Sequence, residues 1–229
     1  MNTNNKVVQD FGEEWQRFDF LNLKELDALR EQYANYMKPL PKKVFASKSL
    51  VAADFGAGSG RWSYFLKNYC EKLYVLEPSE KAFAVCKARF DKDAKVILMN
   101  ESIEQNSIPN DSLDLAISLG VLHHLSDTQS AIRSLSSKIK PGGYFCGYIY
   151  YKLENKPLYY RLIFHLSNLI RKSVSHFPTK MKFITADMFA VFFYFPLAKL
   201  SKLISKSGVS ITNFPLHHYA HLSFKVMRN

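Results

Sequence analysis

Three glycines stand at every second position, Gly56, Gly58 and Gly60, directly after the apolar run Leu50-Val51-Ala52-Ala53-Asp54-Phe55. Glycine is needed where φ must be positive, or where backbone must touch a ligand with no Cβ between. The run reads as a buried strand and Arg61 to Asn68 as a helix. The first N–H groups of that helix face whatever lies above the loop. A dinucleotide fingerprint, G-x-G-x-x-G, is the plain alternative. Here the third glycine comes one residue early, and Asp54 sits two before the first. The second candidate is Glu77, 23 positions after Asp54 at the end of another apolar run. A carboxylate there accepts hydrogen bonds from both hydroxyls of a ribose. A solvated loop acid is its ordinary reading, and the loop upstream favours the ribose, because a β-α-β unit requires this spacing.

These residues need elements to position them. Leu73 to Leu76 reads as a second strand, with Ser79 as N-cap of a helix to about Phe90. Val96 to Met99 is a third strand and Leu113 to Ser118 a fourth. A helix from about Thr128 to Ile139 stops at Lys140-Pro141-Gly142-Gly143, and Tyr144 to Tyr150 is a fifth strand. Continuously apolar strands alternating with helices predict a Rossmann-like, doubly wound α/β fold, its sheet mostly parallel and covered on both faces. Ligands of such sheets bind at the carboxyl ends of the strands, at the switch point. Residues 1–47 read as a helical N-terminal segment, 48–151 as the core, and 152–229 as a basic, aromatic-rich helical extension.

The chain has 229 residues, 47% hydrophobic and 22% charged, which excludes wholesale disorder and small disulfide scaffolds. Its net charge of +11 is unevenly placed. Residues 1–151 hold 19 basic and 18 acidic side chains; residues 152–229 hold 12 basic and only Glu154 and Asp187. A basic surface favours acidic partners. Tyr159, Leu162, Ile163, Leu166, Ile170 and Val174 recur at helical spacing between Arg161, Arg171 and Lys172, and Leu197 to Lys206 forms a second amphipathic stretch with Gly208 as C-cap. The expectation is an anionic lipid surface or a phosphorylated acceptor; an ordinary solvated face stands beside it. Nucleic acid is disfavoured, since no nucleic-acid module is visible. Cys70, Cys86 and Cys146 show no metal spacing and read as reduced, buried thiols, so no metal is expected. The longest apolar run, Met188 to Ala198, has eleven residues interrupted by Pro196. A spanning helix needs about 20. With no signal peptide at Met1 to Asp10, the expectation is a cytoplasmic protein that lies on a membrane at most.

The sequence resembles the class I S-adenosylmethionine-dependent methyltransferases, of the "type 11" kind. The motifs are Asp54 to Gly60, Leu76-Glu77-Pro78-Ser79, Ile108 to Asp114, Gly120 to Asp127 and Lys140-Pro141-Gly142-Gly143, in family order across residues 50–150. The resemblance implies S-adenosylmethionine as cofactor. It places Asp54 and the backbone of Gly56, Ala57, Gly58 and Gly60 at the methionine end, and Glu77 with Pro78 at the ribose. Ser102 and Ile103 fall at the adenine, where the family usually has an acid first; Ser102, Glu101 or water then meets adenine N6. Ser118 and Leu119 would floor the site. Phe11 to Phe18 is similar to a subgroup encoded with glycan or lipid biosynthesis genes. Its Trp15 is either part of a lid over the substrate or helix packing. Val209–Phe214 and His221–Met227 are either a final antiparallel strand pair or a sign that the chain is short.

The resemblance implies in-line methyl transfer to a small-molecule, glycan or lipid-linked acceptor. Positioning the acceptor supplies most of the effect. An oxygen acceptor also needs a base. His123 and His124, on the turn after the fourth strand, are the candidates; packing of the turn is the alternative. Tyr148 and Tyr150 share one face at the end of the fifth strand, where they line the acceptor pocket or pack the core. Two rivals stand beside this reading: a cofactor-binding scaffold without turnover, and a nicotinamide-dependent oxidoreductase.

Overall fold

The structure is a computed structural model that describes residue 12 and residues 29–46, 48–149 and 157–206. Its contacts divide the chain into two compact units, Met1–Tyr150 and Tyr151–Asn229.

In the first unit, the apolar runs of the sequence become strands: β1 (Leu50–Phe55), β2 (Cys70–Leu76), β3 (Val96–Met99), β4 (Leu113–Leu119) and β5 (Ile139–Tyr148). All pair in parallel, in the order β3-β2-β1-β4-β5. The connections are helical: α1 (Arg30–Met37) precedes β1, α2 (Arg61–Leu66) follows it, α3 (Glu80–Phe90) links β2 to β3, and α4 (Thr128–Ser136) links β4 to β5. The central strands β1 and β4 are almost wholly buried because helices cover the sheet. Phe55, Leu76, Ile103, Ala116, Leu122 and Leu135 form part of one buried cluster beneath the carboxyl ends of β1, β2 and β4. The strand order reverses between β1 and β4. The loops leaving these two strands therefore open onto one crevice.

Several boundaries differ from the sequence reading, and β2 begins at Cys70, three residues before Leu73. Helix α4 ends at Ser136, and β5 begins at Ile139, so Lys140-Pro141-Gly142-Gly143 lies inside the strand. Pro141 has no N–H to donate, and Gly142 has φ of +82°. The β4–β5 register accordingly slips between Leu113 and Leu115 before regular pairing resumes at Leu115–Tyr144. The same strand ends at Tyr148, short of Tyr150, which lies outside the described residues.

The second unit is helical over its described residues: α5 (Leu158–Ser175), α6 (Thr179–Phe189) and α7 (Phe195–Lys206), the last two joined through a π-turn at Ala190–Tyr194. Pro196 explains that turn. It cannot supply a helical N–H, and the backbone re-pairs as the Phe195 N–H donates to the Ala190 carbonyl, five residues back. The eleven-residue apolar run of the sequence is thus the middle of a longer helical stretch. Met181–Ile204 is long and apolar enough to cross a membrane, by length and composition only. Gly208 and the two expected final strands lie outside the described residues.

Candidate cofactor and active site

The Asp54–Arg61 connection is held in one shape by backbone and side-chain bonds from three sides. Gly56 and Ala57 N–H groups both donate to the Leu76 carbonyl, each at 2.9 Å, which draws the loop toward the end of β2. From α3, Cys86 Sγ donates to the Gly58 carbonyl at 3.1 Å and Arg89 Nε to the Ser59 carbonyl at 2.9 Å. Gly58 and Gly60 have φ of +59° and +72°. At Gly60 an added Cβ would stand 2.6 Å from Phe90 Cε2, so glycine there serves both conformation and close packing of α3 on the loop.

Two carboxylates anchor the crevice. Asp54, at the end of β1, is 1% exposed, and its Oδ2 accepts from Ser63 Oγ at 2.5 Å. Glu77, the residue after β2, is 7% exposed; Oε2 accepts from the Gly58 N–H at 2.8 Å and Oε1 from the Ser79 N–H at 2.9 Å. Asn100 Nδ2 donates to the Glu77 carbonyl at 2.8 Å and fixes the peptide behind it. Burial raises the Glu77 carboxyl to about 7, against the two N–H donors, with the Asp54 charge adding to the rise. Burial likewise raises Asp54 to about 6, while Ser63 and Arg61 pull it down. Such buried acids with raised proton affinity mark functional crevices. Ser79 occupies the N-cap position of α3 but makes no side-chain cap bond; its N–H serves Glu77 instead.

The remaining sequence candidates fall around this pair. Pro78 lies between Glu77 and Ser79 on the same turn. Ser102 follows β3, and its Oγ accepts from the Gln105 N–H at 3.1 Å. Ile103 is buried in the core cluster. Glu101 is engaged by Ser107, whose N–H and Oγ donate at 2.7 and 2.8 Å. Ser118 is buried under the loop and donates to the Phe55 carbonyl at 3.1 Å. Leu119 ends β4, and the Gly120 N–H donates to the Tyr148 carbonyl at 2.9 Å. His123 and His124 lie on the 3-10 turn Leu122–His124, their rings 3.9 Å apart. Burial lowers the proton affinity of both, and His123 lowers His124 further, so both rings are held toward the neutral form.

Tyr148, at the end of β5, meets Tyr36 of α1 with ring centroids 4.9 Å apart, and Tyr36 meets Trp62 edge-on at 5.4 Å. Arg61 stacks over the Trp62 ring at 4.6 Å. Trp15 and Tyr150 lie outside the described residues. Gly12 is described and buried, and a Cβ there would run into Ser79 Oγ, which places Gly12 against the Glu77 turn.

Sequence reasoning missed Ser63, Cys86, Arg89, Asn100 and Tyr36. Cys86 and Arg89 are three apart on one helix face; periodicity shows the face but not that it meets the glycine loop. Surface depressions of about 600 Å³ beside Ala84–Lys92 and about 520 Å³ beside Asp114 and Lys140 lie off this crevice. The backbone geometry around Glu77, rather than a closed cavity, locates the site.

A 3-2-1-4-5 parallel sheet flanked by helices, with a glycine loop after β1 and an acid at the end of β2, is a Rossmann-like methyltransferase fold. Residues 53–147 match the family described as "Methyltransferase domain", and S-adenosylmethionine is its cofactor. The chain is 25% identical over 185 residues to an uncharacterized methyltransferase of Geobacillus sp. strain WCH70, covering 80% of each. It is 24% identical to a ubiquinone biosynthesis O-methyltransferase of Paramagnetospirillum magneticum, covering 44% of this chain and 40% of that one. Among solved structures, phosphoethanolamine N-methyltransferase 1 of Haemonchus contortus superposes with a TM-score of 0.50 at 17% identity, over 63% of this chain and 32% of that one. The chain thus spans less than half the length of these last two proteins.

The residues present fit the cofactor. Both Glu77 oxygens accept one backbone N–H and keep a second lone pair for a ribose hydroxyl. Beside it stands Gly58, whose main chain has no side chain and whose N–H is the donor to Glu77.

Proposed function

We propose that the chain transfers a methyl group from S-adenosylmethionine to a hydroxyl of a small-molecule or lipid-linked acceptor. The observation that carries the oxygen acceptor is the His123–His124 turn. Two imidazoles held toward the neutral form stand just past the end of β4, on the cofactor side of the sheet. Methyl transfer to a hydroxyl needs a proton acceptor, and a neutral imidazole is one at pH 7. The bound cofactor supplies a methyl group on a cationic sulfur, already activated as an electrophile. What this chain's residues supply is placement. Glu77 holds the ribose, the loop from Gly56 to Gly60 holds the amino-acid end, and Tyr148 with Tyr36 forms an aromatic wall toward the acceptor. Two relatives named ubiquinone biosynthesis O-methyltransferases, which match 44% and 47% of this chain, support an oxygen acceptor.

The test is incubation of the purified chain with methyl-labelled cofactor and separate soluble and lipid extracts, followed by identification of the labelled product. An alkali-stable ether on a small or lipid-linked molecule supports the reading. Label on nitrogen or carbon contradicts the oxygen acceptor. Tight binding of S-adenosylhomocysteine with no label in any fraction favours a scaffold instead.

A further inference from the structure

Helix α5 carries a leucine row that no described residue covers. Leu158, Leu162, Leu166 and Leu169 stand at i, i+4, i+8 and i+11, one face of an α-helix, and are 79%, 60%, 55% and 63% exposed. An apolar face of this extent marks a binding surface. Eighteen residues run about 27 Å, too long for a pocket that takes a small molecule and well suited to a plane. Arg161 and Lys172, each three residues after a leucine of the row, border it, Arg171 lies on the opposite side, and α5 contains no Asp or Glu. The whole segment 152–229 has 12 basic residues against two acidic ones. A leucine row bordered by cations and a one-signed charge match an anionic bilayer surface.

We propose that α5 lies in the plane of an anionic membrane. Its leucines enter the acyl boundary, and Arg161, Arg171 and Lys172 sit at the phosphates, their stems reaching up along the helix. The stretch Met181–Ile204 adds exposed apolar surface in the same unit, with Phe192 and Phe193 among its exposed side chains. It also carries Lys182, Asp187, Lys199 and Lys202. Across a bilayer Asp187 and Lys199 would lie inside the hydrocarbon, which is costly, so this helix too belongs at the interface rather than across the membrane. The proposal is independent of the acceptor's identity.

The full-length chain is sedimented with phosphatidylcholine vesicles, with and without phosphatidylglycerol, at low and high salt. Expected is binding to the anionic vesicles only, released by salt. The triple variant Arg161→Gln, Arg171→Gln, Lys172→Gln should bind about a hundredfold more weakly. The pair Leu162→Glu, Leu169→Glu should abolish binding. Unchanged S-adenosylhomocysteine affinity and helical circular dichroism in each variant show that the fold survives. Wild-type protein left in the supernatant, equal pelleting with neutral vesicles, or a charge variant that binds as wild type would overturn the proposal. Resistance of the native membrane-bound chain to alkaline carbonate would overturn it in favour of a spanning helix.

Discussion

Replacing Glu77 by Gln keeps the shape of the side chain and removes the charge. In the cofactor-free protein the carboxyl is raised from 4.5 to about 7, mainly by burial. That displacement corresponds to about 3 kcal/mol against the ionised form. Hydroxyl donors from a ribose favour the ionised form, so bound cofactor pulls the proton affinity back down. Cofactor affinity should therefore rise as pH increases toward about 7 and level off above it, by up to tenfold per pH unit below the midpoint. The Gln variant should lose this component and keep the weaker one from Asp54, centred near 6. Above pH 7.5 it should bind about 1.5–3 kcal/mol more weakly, the worth of hydrogen bonds to a charged group. Isothermal titration with S-adenosylhomocysteine between pH 5.5 and 8.5 measures both effects. A variant with wild-type affinity and a wild-type pH profile would refute the assignment of Glu77 to the ribose.

The same displacement bears on stability. Because the folded chain holds the Glu77 proton more tightly than the unfolded chain, this group's contribution is fully present below about pH 4.5. It is lost as pH rises through about 7, so the thermal shift given by S-adenosylhomocysteine should be larger at pH 8 than at pH 5.5. Gly60→Ala should lower the melting temperature, since φ of +72° and a Cβ 2.6 Å from Phe90 Cε2 cost about 1–3 kcal/mol together; an unchanged melting curve would count against the loop packing. His123→Ala or His124→Ala should cut kcat by about 10²–10⁴ with S-adenosylhomocysteine affinity intact, and full activity in both would remove them as the base. Ser63→Ala deprives buried Asp54 of its hydroxyl donor and should cost about 1–3 kcal/mol in a denaturant titration; no loss would argue that water replaces it.

What the residues alone disclosed was the part governed by local rules. Apolar runs ending in glycine located β1, and the 23-residue step from Asp54 reached Glu77 because strand, helix and strand have narrow lengths. The ends of β5 were misplaced for a local reason too. Pro-Gly-Gly reads as a stop, yet a bulge lets the strand continue through it. Cys86, Arg89 and Asn100 were invisible because their role depends on how α3 and the end of β3 meet the glycine loop, a tertiary relation. The helical stretch through Pro196 was hidden for another reason: a proline ordinarily breaks a helix, and only the π-turn before it restores the backbone pairing.

The most direct measurement is a crystal structure of the chain with S-adenosylhomocysteine. The account expects its ribose hydroxyls on the Glu77 carboxylate and its amino-acid end against the main chain of Gly56 to Gly58. Density for the compound anywhere else, or an empty crevice at saturating concentration, would contradict it.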